Sequence, residues 1–139
     1  MTQTPIVLLA IVVLLAAGCK KVESASLRFT KNNIIGAYKI TSIKASANGA
    51  PAIEVLQPCQ KDDITDMKAT MIYTVEGGAE SCEYWTDVAG NWDLPISPTL
   101  VIGDVSYTIQ SCDSKQLVIS GTIQRGSNSV VETTTYMRQ

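Results

Sequence analysis

The chain has 139 residues, with 11 basic and 13 acidic side chains, a formal net charge of -2 and no histidine. That balance supplies neither the basic field that nucleic acid requires nor an acidic tail, so no nucleic-acid partner is expected. Without histidine, Ser-His-Asp and Cys-His catalysis, histidine-ligated zinc and the usual near-neutral general base are all excluded.

The first element in chain order is an apolar leader. Twelve uninterrupted apolar or small residues, Ile6 to Ala17, run into the string LLAAGC that ends at Cys19. This length suits the apolar region of a secretory signal and falls short of the roughly 20 residues that cross a bilayer as a helix. It also lacks the polar face that a helix on a globular core would carry. Small Ala17 and Gly18 give a signal peptidase access to the backbone, and the Cys19 thiol can accept a diacylglyceryl group in thioether linkage. The expectation is therefore a lipoprotein signal peptide over residues 1–18, palmitate-type acylation of Cys19, a lipid-anchored linker over 19–31 and one domain over 32–139. Each buried methylene of the acyl chains adds roughly 0.8 kcal/mol, so a multiply acylated Cys19 makes the membrane a lasting partner. Residue 20 is Lys rather than Asp. By resemblance to known sorting rules this points to an outer-membrane lipoprotein, on the periplasmic side in preference to the cell surface.

Export sets the chemistry of the remaining thiols. With Cys19 committed to lipid, Cys59, Cys82 and Cys112 enter an oxidising compartment, which leaves one pair and one odd thiol. Cys59 and Cys82 both lie in turn-like surroundings, QPCQKDD and GGAESCE, flanking one predicted hairpin arm, and are the expected disulfide. Cys112 has no recognisable activating base and reads as an inert, partly buried thiol. No C-x-x-C spacing occurs, so no metal is expected at these cysteines.

Beyond the linker the pattern has period two. IIGAYKITSIKAS begins a long strand with Tyr38 and Ile40 on one face, and Asn48-Gly49 marks a turn. MKATMIYTV reads as one strand with Met67, Ala69, Met71, Tyr73 and Val75 on a common face, ended by Gly77-Gly78. GNWDLP gives a short strand carrying Trp92 and Leu94 on one side. From Thr99 onward four strands are joined by Gly103-Asp104, Asp113-Ser114 and Gly126-Ser127-Asn128, an antiparallel meander. Parity gives that meander an apolar face of Val105, Tyr107, Ile109, Leu117, Ile119 and Ile123. Ser106, Thr108, Gln110, Ser120, Thr122 and Gln124 form the opposite, polar face. Seven to nine strands with one buried face must close or stack, so the fold class is all-β. An antiparallel up-and-down barrel of about eight strands is expected, with a two-sheet sandwich as the competing solution.

These residues also carry a family resemblance. IIGAYKITSI resembles the G-x-W-x-[IL]-x-S opening strand of bacterial lipocalin-like lipoproteins, with Tyr38 in the place of the tryptophan, and CQKDD resembles their C-x-x-D-D segment. ESC followed by GNWDL resembles their second cysteine and G-x-W-x-L strand, and LVIGDVSYTI their closing meander. The resemblance spans about residues 33 to 124. It implies a lipocalin-like barrel whose cup binds a small hydrophobic ligand. The candidate lining is Met71, Tyr73, Trp92, Tyr107, Ile109 and Ile119. The competing expectation is that these side chains fill the interior, leaving an envelope protein-binding module, an inhibitor or accessory subunit, that works through its loops at residues 45–61 or 76–88.

Asp62, Asp63 and Asp66 lack the spacing of a calcium loop and read as turn residues that accept backbone hydrogen bonds. No phosphate loop, nucleophile elbow or metal cluster occurs in the sequence, so no cofactor is expected and the chain reads as a non-enzyme.

Overall fold

In the computed structural model, residues 28–80, 82 and 88–139 are described. The expected signal peptide, Cys19 and most of the expected linker lie outside them. No helix among the described residues is long and apolar enough to cross a membrane.

A short helix, α1 (Lys31–Ile34), leads into nine strands. They are β1 (Gly36–Ala47), β2 (Ile53–Glu54), β3 (Ile64–Met67), β4 (Ile72–Glu76), β5 (Val88–Ile96), β6 (Thr99–Ile102), β7 (Val105–Cys112), β8 (Gln116–Arg125) and β9 (Asn128–Arg138). All pairings are antiparallel, consecutive from β3 to β9, with β3 and β9 both pairing with β1. Eight strands thus close on themselves as an up-and-down barrel, and β2 is a short flap on the outer half of β1. Closure removes the free edges that an open sheet of this composition would expose.

Turn chemistry fixes the register as the sequence suggests. Asn48 and Gly49 both adopt positive φ, 52° and 74°, the geometry a two-residue hairpin needs and Asn-Gly tolerates. In the β7–β8 connection the Asp113 carboxylate accepts from the backbone N–H groups of Lys115 (2.7 Å) and Gln116 (2.9 Å), which hold its pKa below the ordinary carboxylate range.

Two features differ from the sequence reading. MKATMIYTV is a hairpin rather than one strand: Met71 N–H donates to Lys68 O at 3.0 Å, Met71 takes φ 65°, and the chain folds back from β3 to β4. Met67 and Tyr73 become cross-strand partners facing the interior. The second difference is a set of three register shifts, one of them between Asp93 and Ile96 of β5. One residue is bulged between Ile40 and Ser42 of β1, and another between Ile109 and Ser111 of β7. After the first bulge Ile43 takes the inward face; after the second, Cys112 faces inward opposite Leu117.

The core occupies one end of the barrel. Ile34, Tyr38, Met67, Trp92, Leu100, Leu117 and Ile119 are essentially inaccessible to solvent, with Leu94 and Ile109 packed beside them. Alternation along each strand supplies this layer, and its tryptophan, tyrosine and branched side chains each contribute roughly 1.5–3 kcal/mol or more on burial.

Candidate functional site

The two ends of the barrel are built differently. At the closed end α1 lies across the opening and inserts Ile34. Tyr38, from the first turn of β1, donates its hydroxyl to Ile34 O at 2.7 Å. Arg138, the last residue of β9, stacks over the Tyr38 ring at 4.9 Å from its centroid. Its two terminal nitrogens donate to Ile35 O, Asn33 O and the Tyr38 hydroxyl, each at 2.7 Å. Burial outweighs the nearby guanidinium and pushes the Tyr38 phenol up to about 12. Trp92 completes the seal by donating Nε1–H to Lys68 O at 3.0 Å. Cys112 is a free thiol here, its Sγ 3.2 Å from Asn33 O, and burial raises its pKa, which leaves it a poor nucleophile at neutral pH.

At the other end the interior is open. A cup of about 420 Å³ is lined by Ile40, Thr65, Met67, Tyr73, Val75, Ile102, Val105, Tyr107 and Tyr136, with Gln60, Asp63, Gly103 and Asp104 around them. Its size falls within the range of small-molecule pockets. The cup exists because two of its tyrosines lie flat. Tyr73 faces Gly90 and Tyr107 faces Gly121 across their strand pairs. A Cβ at Gly90 would stand 2.6 Å from the Tyr73 ring, and one at Gly121 would stand 2.7 Å from the Tyr107 ring. Each glycine therefore makes room for an aromatic ring against the wall, where a larger residue would tilt it into the cup. Gly90→Ala and Gly121→Ala are expected to narrow the cup and to cost about 1–3 kcal/mol by overpacking, read from urea unfolding and from the tyrosine ring NMR shifts.

The hydroxyls of Tyr73, Tyr107 and Tyr136 form no hydrogen bond with another described residue. Tyr136 is raised far above its ordinary pKa by burial, then by the adjacent Tyr107 and Tyr73 phenols. Tyr107 is raised by burial, then by Glu132 and Tyr73. Both stay protonated at any physiological pH, so they present hydrogen-bonding groups inside an otherwise apolar surface.

One loop at the mouth is held by three ties. Cys59, in a 3-10 turn over Pro58–Gln60, is disulfide-bonded to Cys82 with a Cα–Cα distance of 5.3 Å, as expected from their surroundings. Asp63 accepts from Gly78 N–H at 3.1 Å and Asp62 from Glu80 N–H at 3.2 Å. Asp62 and Asp63 thus accept from backbone groups as expected, whereas Asp66 lies within strand β3 rather than in a turn.

Of the six expected lining residues, the structure places Tyr73 and Tyr107 on the cup. The other four differ. Trp92, Ile109 and Ile119 have the inward parity that alternation gives, but they lie in the packed layer beneath, and Met71 sits in the β3–β4 turn against the core. Parity reports which face a residue takes and carries no information on depth along the barrel axis. The sequence reading places Met67 on the face of Tyr73 without taking it as lining and gives Ile102 and Tyr136 no face; all three line the cup. Interior filling is therefore partial: one half of the barrel is solid and the other is hollow.

No family model matches the chain, and no curated protein matches it. The reading of the site rests on its geometry.

Proposed function

We propose that the protein is a membrane-anchored, lipocalin-like lipoprotein that binds a small hydrophobic ligand in the open half of its barrel and catalyses no reaction. The observation that carries this is the cup itself: a mostly apolar, tyrosine-walled cavity over a sealed floor. Five aliphatic or thioether side chains and three aromatic rings offer dispersion contact, while the phenol hydroxyls fix orientation. Attachment through Cys19 at the periplasmic face of the outer membrane would keep the mouth within reach of membrane-derived compounds.

A second reading keeps its place because of the tied mouth loop. A disulfide at Cys82 and two aspartate-backbone contacts at Gly78 and Glu80 tie this segment to the 3-10 turn and to the residues just before β3, which suits a docking surface for an envelope protein. Two measurements separate the readings and test the anchor. Native mass spectrometry of the chain purified from the envelope is expected to show a copurified small hydrophobic molecule. Radiolabelled palmitate is expected to attach to the wild type and not to Cys19→Ser. An empty barrel together with specific capture of a protein through residues 76–88 supports the docking reading. An unlabelled chain retaining Met1 removes the anchor.

A further inference from the structure

The cup carries acidic side chains in its lining. Among the described residues its charged lining is Asp63 and Asp104, with no lysine or arginine. Asp63 is 8% exposed, an unusual depth for a carboxylate. Its Oδ1 is fixed by Gly78 N–H, and its Oδ2 forms no hydrogen bond with another described residue.

Several other charged side chains are already engaged elsewhere. Glu132, the carboxylate beside Tyr107, is paired with Arg125. Lys31 pairs with Asp93, and Arg138 is spent on α1 and Tyr38 at the closed end. Sharing the lining with the two aspartates are the rings of Tyr73, Tyr107 and Tyr136, whose π faces and phenol oxygens attract cations in a desolvated site.

We propose that the cup takes an apolar molecule bearing a cationic nitrogen, an amine or quaternary ammonium head, in preference to the matching carboxylic acid. The inference rests on the cup-binding reading above. The apolar body lies against Met67, Ile40 and Ile102, and the head meets Asp63 and Asp104 at the mouth. A carboxylate head would bring like charges together in a partly dehydrated space, a costly arrangement, whereas an ammonium is attracted by both the carboxylates and the rings.

The test uses the full chain and three probes with one common tail, decylamine, decanol and decanoate, titrated calorimetrically at neutral pH below their aggregation limits. Decylamine is expected to bind about tenfold tighter than decanoate, with decanol between them. In the double variant Asp63→Asn, Asp104→Asn the three affinities are expected to converge to within about twofold. Asparagine keeps the acceptor for Gly78 N–H, and an unchanged decanol affinity shows that the cup is intact. Decanoate binding as tightly as decylamine, or a preference that survives in the double variant, overturns the charge selection and leaves the cup reading standing. Failure of all three probes, decanol included, overturns both.

Discussion

Replacing Arg138 by alanine is expected to destabilise the barrel by about 3 kcal/mol. Hydrogen bonds to charged groups contribute about 1.5–3 kcal/mol each and do not add fully. This side chain makes three at 2.7 Å, and its guanidinium also covers the Tyr38 ring. The contacts join the last strand to α1 and the first strand, so they tie the two chain ends of the barrel together across about 100 residues of sequence. Without them the Ile35 carbonyl loses its partner and that of Asn33 keeps only the Cys112 thiol, and α1, only four residues long, has no stability of its own. Urea unfolding should show a lower midpoint with little change in slope. Arg138→Lys is expected to recover only part of the loss, because a single ammonium cannot fork to two carbonyls while lying flat on the ring.

The second large effect lies at the opposite end. The double variant Cys59→Ser, Cys82→Ser is expected to lose roughly 3 kcal/mol, the chain-entropy value for closing a loop with the observed separation of 23 residues. Its consequence differs in kind from that of Arg138→Ala. The core layer around Trp92, Leu100 and Leu117 does not include the bridge, so the native barrel persists while the loop carrying Gly78 and Glu80 keeps its contacts to Asp62 and Asp63 but loses its covalent tie. Amide exchange at Gly78 and Glu80 should accelerate far more than exchange in β8 and β9. Since the two perturbations sit at opposite ends without shared partners, their destabilisations are expected to add to within about 0.5 kcal/mol.

The legible and illegible parts of this fold divide along physical lines. The meander from β6 to β9 is readable because its strands alternate over most of their length and each connection carries Gly, Asp or Asn at the positions that demand them. The β3–β4 hairpin is hidden because its turn, Lys68 to Met71, contains no glycine, proline or asparagine. Met71 itself adopts positive φ, held by the Met71-to-Lys68 hydrogen bond rather than by propensity. The bulges in β1 and β7 leave no compositional mark, yet each moves every following side chain to the other face. Arg138 reads in sequence as a solvated terminal cation. Its function as a latch depends on barrel closure bringing β9 beside β1, a relation spanning nearly the whole domain.

The cup shows the same division. Tyr73 and Tyr107 are visible as alternating aromatics, but whether such rings fill a barrel or line it depends on what stands opposite. That the partners are Gly90 and Gly121 follows only from the register. Tyr136 is likewise an unremarked residue of TTTYMR until β9 pairs with β1 and sets it beside Ile40.

The most direct test is titration with a neutral apolar fluorophore, N-phenylnaphthylamine, of the wild-type chain and of Val105→Trp, which places an indole at the wall of the cup while leaving the packed layer below untouched. One saturable probe per chain is predicted for the wild type and none for the variant, with both proteins giving the same unfolding midpoint. Equal binding by the two, or no saturable binding by the wild type, would contradict a barrel that is solid at one end and receptive at the other.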